Sequence, residues 1–205
     1  MHDVHRSFGA HQVLRGVDLT IASGEICALV GENGAGKSTL LDIAVGALPP
    51  TRGAITLAGH SIDDARGRRD IGYAPAHAPL PEQLAVHEWL DLLAALRDVS
   101  AAQVDAASDR WGLGSLLDSR LSALSLGQRR RLALAVATMG TPTFLVLDEP
   151  TVGLDEAGIA LLVATLAAHR DDGGAALVAS HEPSFVTTIS TTRRQLVAGR
   201  IVVSP

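Results

Sequence analysis

The stretch Gly31-Glu32-Asn33-Gly34-Ala35-Gly36-Lys37-Ser38-Thr39 constrains this chain more than any other. It fits the phosphate-cradling pattern G-x-x-x-x-G-K-[ST], and its flanks are the right ones. Ahead of it, Glu25-Ile-Cys-Ala-Leu-Val30 is a short apolar run that predicts a buried strand. Behind it, Leu40, Leu41, Ile43, Ala44 and Ala47 recur at helical spacing. Gly31, Gly34 and Gly36 let the backbone turn tightly with its N–H groups aimed inward. The following helix adds free amides and the positive end of its dipole. In such a loop Lys37 reaches the β- and γ-phosphates of a nucleotide, and the Ser38 hydroxyl meets a Mg²⁺ ion.

Composition narrows the classes further. With 205 residues, 47% hydrophobic and 19% charged, the chain can bury a sizeable core and is not a disordered polymer. A formal net charge of −5 gives no electrostatic case for nucleic acid as the main ligand. Cys27 is the only cysteine and falls in the strand before the loop, so no disulfide can form within the chain, which suits a reducing compartment. No apolar run approaches the ~20 residues that cross a bilayer. The N-terminus, Met-His-Asp-Val-His-Arg, lacks a secretory apolar region. The expectation is a soluble protein that serves a membrane only through a partner.

Along the chain, Val4 to Phe8 predicts a weak strand, and Gly9-Ala-His-Gln12 a turn. Val13 to Ile21 predicts a second strand bent at Gly16. The helix after the phosphate loop ends at Pro49-Pro50. Ala54 to Ala58 reads as a short strand before a turn at Gly59, and Ile71 to Ala74 as a strand stopped by Pro75. A Pro-rich passage runs from Pro75 to Pro81. No strand signal falls between about 76 and 124, where Leu84, Trp89, Leu92, Leu93 and Leu96, then Val104, Ala107 and Trp111, keep helical spacing. This predicts a helical insert within one domain spanning 1–205. Ser125 opens another helix, Thr143 to Leu147 is an apolar strand, Asp155 to Arg170 a helix, Ala175 to Ala179 a strand, and Gln195 to Val203 a hairpin turning at Gly199-Arg200. The alternation predicts an α/β fold of the P-loop NTPase kind: a mainly parallel sheet flanked by helices, with an antiparallel β portion at the termini.

Two further stretches carry chemistry. Asp148-Glu149 closes the apolar strand Phe144-Leu-Val-Leu147. Ligands of parallel sheets sit at the carboxyl ends of strands, so this pair can lie beside the phosphate loop. Asp148 then suits Mg²⁺, which takes one or two carboxylates plus substrate phosphates, and Glu149 suits the polarisation of an attacking water. Taken alone, the pair is only two acids at a strand end. Leu124-Ser-Leu-Gly-Gln128 places Ser125 as a helix cap and offers a second anion-binding helix tip.

The order of phosphate loop, Leu124-Ser-Leu-Gly-Gln128, Asp148-Glu149, Gly153-Leu154-Asp155 and His181 resembles the ATP-binding cassette (ABC) ATPases over essentially the whole chain. The resemblance implies that two cassettes face each other head to tail, as a homodimer or heterodimer. Each ATP is then held by the phosphate loop of one copy and by the Ser125, Gly127 and Gln128 segment of the other. It implies that Asp155 lies at that interface, that His181 contacts the γ-phosphate and steadies the water, that Phe8 stacks on adenine and that Val13 packs at its other edge. It further implies ATP hydrolysis at the inner face of the cell membrane, driving transport through separately encoded membrane subunits gripped by the helical insert and the Pro75–Pro81 passage. The small single cassette looks most like exporter subunits. Two other readings stay open: a cassette ATPase that works without a membrane partner, and a binding switch that barely hydrolyses.

The pattern breaks in places. Where the family has a glutamine after Ile71-Gly-Tyr-Ala-Pro75, this chain has Ala76 and then His77. Alanine has neither donor nor acceptor, so either His77 substitutes or the contact is lost. Hydrolysis is expected to survive, slower or differently gated. Leu126 stands where glycine is commoner, and the first strand starts so near Met1 that the sheet edge reads as clipped. Arg129, Arg130 and Arg131 form a basic run on the first turn of a helix, where they oppose its dipole. Such a run is ordinarily a solvated face, and a phosphate-rich interface is the other reason for it.

Overall fold

The structure is a computed structural model that describes residues 1–77 and 79–202. Ala78, in the Pro-rich passage, and Val203, at the end of the expected last hairpin, lie outside the described residues, as do residues 204–205 of the expected single domain.

Strands β1 (His2–Phe8) and β2 (His11–Val17) form an antiparallel hairpin, and β4 (Arg52–Ala54) pairs on the other side of β1. Strand β3 (Ile26–Val30) and helix α1 (Lys37–Ala44) lie between them in the chain. The expected strand Val13–Ile21 stops at Val17, because the Asp18 carboxylate accepts the Asp3 N–H at 2.9 Å and stands in for a ladder partner. β1 is the central strand of this small sheet, not its edge. The expected strand Ala54–Ala58 is broken where Ile55 turns into the core. Its remainder is β5 (Thr56–Leu57), which forms a tight hairpin with β6 (His60–Ser61) about the expected turn.

After the short helix α2 (Ala65–Arg69) comes the parallel part of the fold. It comprises β7 (Ile71–Ala74), helices α3 (Val86–Arg97), α4 (Ala101–Arg110) and α5 (Leu126–Thr138), β8 (Phe144–Asp148), α6 (Glu156–Asp171), β9 (Ala175–Ala179), α7 (Pro183–Ile189), β10 (Thr192–Val197) and β11 (Arg200–Val202). The large sheet has the order β11-β10-β3-β9-β8-β7. Every neighbouring pair from β10 to β7 is parallel, and only β11 runs back, in the expected hairpin. The sheet is buried on both faces, which is why β3 and β8 read as unbroken apolar runs. Side chains alternate between two cores. Ile26, Ala176, Val178, Leu145 and Leu147 join α5, α6 and α7 on one face. Cys27, Leu29, Leu177, Phe144 and Val146 join α1 and the antiparallel strands on the other. Each aliphatic side chain so buried stabilises the fold by about 1.5–3 kcal/mol.

Between Ala76 and Leu124 the described residues form α3, α4, two 3₁₀ turns (Gly114–Leu116 and Leu121–Ala123) and one isolated bridge from Ala85 to Arg120. Trp111, fully buried at the end of α4, donates its indole N–H to the Thr138 hydroxyl at 3.0 Å and so ties this part to α5. Arg97 adds bonds to the Val136 carbonyl at 2.7 Å and the Ile71 carbonyl at 3.2 Å. Helix α7 carried no clear signal in the sequence. Its run Val186-Thr-Thr-Ile189 is β-branched and of low helix propensity. A proline in its first turn and hydroxyl bonds from Thr187 and Thr188 to carbonyls four residues back accompany the helix.

Candidate nucleotide site

The phosphate loop joins β3 to α1 at the carboxyl end of the sheet. Gly36 closes it with φ +101°, a left-handed conformation that L side chains rarely adopt. A Cβ there would also come within 3.0 Å of Val13 Cγ1 and 3.2 Å of Leu14 Cδ2, so Val13 sits directly beneath the last turn of the loop. Lys37, only 7% exposed, points back into the loop. Its ammonium donates to the Gly31 carbonyl at 2.7 Å and to the Glu32 carbonyl at 3.2 Å. The first-turn amides of α1, at Lys37, Ser38 and Thr39, lie where a helix has no carbonyl of its own to offer them. Phe8 ends β1 with 48% of its surface exposed, which removes it from the core. The Arg6 guanidinium lies 4.5 Å from its ring centroid.

The two acids are treated differently by the fold. Asp148 ends β8 at 2% exposure. Burial pushes its carboxyl above the ordinary aspartate value, while the nearby Ser38 hydroxyl and the charge of Lys37 pull the other way. Loop hydroxyl and strand carboxylate are therefore neighbours, a pairing that suits a magnesium ion. Glu149 takes φ +47°, a left-handed backbone in a non-glycine residue. Such strain costs about 1–3 kcal/mol and is commonly stored at functional sites. Its N–H donates to the Ala179 carbonyl at 2.9 Å, and its carboxylate lies 2.8 Å from Nδ1 of His181, just past β9. Lys37, Ser38, Asp148, Glu149 and His181 are thus gathered at the ends of three adjacent strands, β3, β9 and β8.

The second anion tip is elsewhere. Ser125 Oγ accepts the Gln128 N–H at 3.3 Å, and Gln128 Oε1 accepts the Ser125 N–H at 2.8 Å, a reciprocal cap on α5. Leu126 stands 61% exposed at the tip. A Cβ on Gly127 would fall 2.5 Å from the Gly153 carbonyl, so the turn before α6 backs directly onto the tip. Asp155 caps α6, accepting the Gly158 N–H at 2.9 Å and a guanidinium N–H of Arg131 at 2.7 Å. These contacts hold its carboxyl below the ordinary range. α1 and α5 belong to the two different cores, so the two tips rise from opposite faces of the sheet.

A family model described as ABC transporter matches residues 14–152. This chain belongs to the ABC transporter family. As an ABC cassette it is an ATP-binding, ATP-hydrolysing transporter subunit. A lantibiotic transport ATP-binding protein of Streptococcus pyogenes is 30% identical over 203 residues, spanning 99% of this chain and 88% of that protein. A cytochrome c biogenesis ATP-binding export protein of Sphingopyxis alaskensis is 39% identical over 174 residues, spanning 84% of each. A solved structure described as the ATP binding subunit of an ABC transporter superposes with a TM-score of 0.91 at 29% identity, covering 98% of this chain and 86% of that one.

Within the ABC cassette, the basic run is not a uniformly solvated face, because its middle arginine is buried and its neighbours are half-buried. Arg129 donates to the Leu124 and Ser122 carbonyls at 3.1 and 3.3 Å. Arg131 holds Asp155. Arg130, 6% exposed, reaches the carbonyls of Pro75 at 3.0 Å, Ala76 at 2.9 Å and Asp148 at 3.4 Å. Nothing in three consecutive arginines says which one turns inward. Beside them an apolar groove of about 300 Å³ opens between the Pro75–His77 loop and the helices, walled by Tyr73, His77, Trp89, Leu93, Leu126 and Val136. Tyr73 also donates its hydroxyl to Asp42 of α1 at 2.7 Å, a link that no motif announced.

Proposed function

We propose that ATP is clamped between two cassettes, on one side by the phosphate loop and on the other by the Ser125–Gly127–Gln128 tip of the facing copy. The observation that carries this is the placement of the two tips on opposite faces of one sheet, which favours a shared site over a site completed within one chain. In this reading residues Gly31 to Thr39 wrap the phosphates through main-chain amides, with Glu32, Asn33 and Ala35 shaping the turn, and Lys37 supplies the charge. Phe8 stacks on the base and Val13 supports it. Glu149 takes the proton of the attacking water, held on line by His181, which also meets the γ-phosphate. Asp155 sits at the seam between copies.

The pairing of a hydroxyl with a buried carboxylate fits Mg²⁺, which Ser38 and Asp148 would hold. Bound there, the ion would neutralise charge on the β- and γ-phosphates. Residues 76–124 form a helical insert in a single domain, and the groove beside the Pro75–Pro81 passage receives a membrane subunit. No helix among the described residues is long and apolar enough to cross a membrane. In this reading the chain acts at the cytoplasmic face of the membrane through that partner, in an export role like that of the Sphingopyxis relative.

The test is Glu149→Gln with saturating ATP and Mg²⁺. Turnover should fall by about 10²–10⁴-fold, and light scattering after size exclusion should report twice the monomer mass. A variant that turns over normally, or that stays monomeric with nucleotide bound, overturns the reading.

A further inference from the structure

Arg130 is the buried arginine of its run, and the nucleotide chemistry above leaves it without a role. A guanidinium is costly to bury, and here burial lowers its pKa while the charges of Asp148 and Glu149 oppose that shift. It remains a cation beside the two acids. Its acceptors are also unusual. All three are main-chain carbonyls, two on the loop after β7 and one at the carboxyl end of β8. Holding α5 in place does not require them. That helix is already packed on β7 and β8, bonded to Arg97 through Val136 and to Trp111 through Thr138.

We infer that Arg130 is a positioning residue for hydrolysis, whose planar fork holds the Pro75–Ala76 loop against the Asp148–Glu149 strand end. The inference deepens the proposed reading and rests on its assignment of the two acids. The loop has no polar side chain at Ala76, so its connection to the acid pair runs through peptide carbonyls, and only a donor with several N–H groups at fixed angles can bridge them to a second strand. The same loop contributes Pro75, Ala76 and His77 to the apolar groove. Anything that seats in the groove and shifts this loop moves two of the three acceptors of Arg130. The third is the carbonyl of Asp148, one peptide from the strained backbone of Glu149.

The experiment uses Arg130→Lys and Arg130→Met in the full chain. Lysine keeps the charge but is a point donor that cannot span loop and strand together. Arg130→Lys should lower kcat by about tenfold and leave KM for ATP within about twofold, with Arg130→Met lower still. The backbone amide NMR signals of Ala76 and His77 should shift or broaden in Arg130→Lys as the loop loses its fixed position, while hydrogen exchange in α1 stays as slow as in the parent. An unchanged kcat in Arg130→Lys, or unchanged signals at Ala76 and His77, overturns the inference. So does faster exchange in the helices throughout the molecule, which would make Arg130 a general stabiliser of the fold. A parent protein that hydrolyses ATP and loses activity on Glu149→Gln keeps the proposed site standing in each of those cases.

Discussion

The chain presents two helix tips to anions, one at Lys37 and one at Ser125, and they are finished in opposite ways. The first is enclosed. Its lysine is buried, its ammonium is held by two carbonyls of its own loop, and its hydroxyl residue neighbours the buried carboxylate that ends β8. The second is open. Its cap is satisfied only by residues of its own first turn, and its tip leucine faces solvent. One tip is preorganised by the core of its own chain. The other is preorganised in shape alone, with Leu126 exposed at its tip. That difference is what a site divided between two copies needs, since a ligand moves an equilibrium only by its differential affinity for the two states.

The largest effect tests the enclosed tip. Lys37→Ala should weaken ATP binding by about a hundredfold or more, since a buried charge-assisted contact to phosphate is lost, as read by fluorescent-nucleotide titration. Tight binding without the lysine would break the distinction between a binding tip and a closing tip. A smaller effect tests the open tip. Gly127→Ala sets a methyl group against the Gly153 carbonyl, at 2.5 Å before relaxation. Steady-state turnover should fall about tenfold, while ATP binding to the isolated monomer stays within about twofold. Equal losses in binding and turnover would mean that both tips serve the same copy.

The smallest effect concerns what the enclosed site costs. The carboxyl of Asp148 is raised in the native state, chiefly by burial, from an ordinary value of 3.8. The native protein therefore holds this proton more tightly than the unfolded chain, and stability falls as pH rises from that value through the raised one. In metal-free protein Asp148→Asn should remove this decline and raise Tm by about 2–4 °C at neutral pH, while turnover is lost. A variant that melts lower at neutral pH would show that the favourable contacts of the carboxylate with Ser38 and Lys37 outweigh its burial.

Legibility differed between the parts of the site for a physical reason. The phosphate loop, the acid pair and the capped start of α5 are each a short unbroken run of sequence, so local spacing reports them. The strain at Glu149 leaves no trace in residue identity, and its N–H is held by the carbonyl of Ala179, thirty residues away in the chain. The three arginines are chemically identical in sequence, and only the packing of α5 over β7 sends the middle one inward to Pro75, Ala76 and Asp148. Helix α7 was hidden because its propensity and its tertiary environment disagree, and burial of Phe185, Val186 and Ile189 wins.

By itself, then, the amino-acid order determined which chemistry this chain can carry. It also determined the parallel character of the sheet, since both follow from short-range pattern: glycines at fixed intervals, apolar runs of strand length, caps ahead of helices. The tertiary structure alone decided the placement of the two anion tips on opposite faces, the bond between His181 and Glu149, and the burial of Arg130 behind the acid pair. Those depend on which distant segments share a core, and that is settled by the summed burial of the whole chain rather than by any window of it.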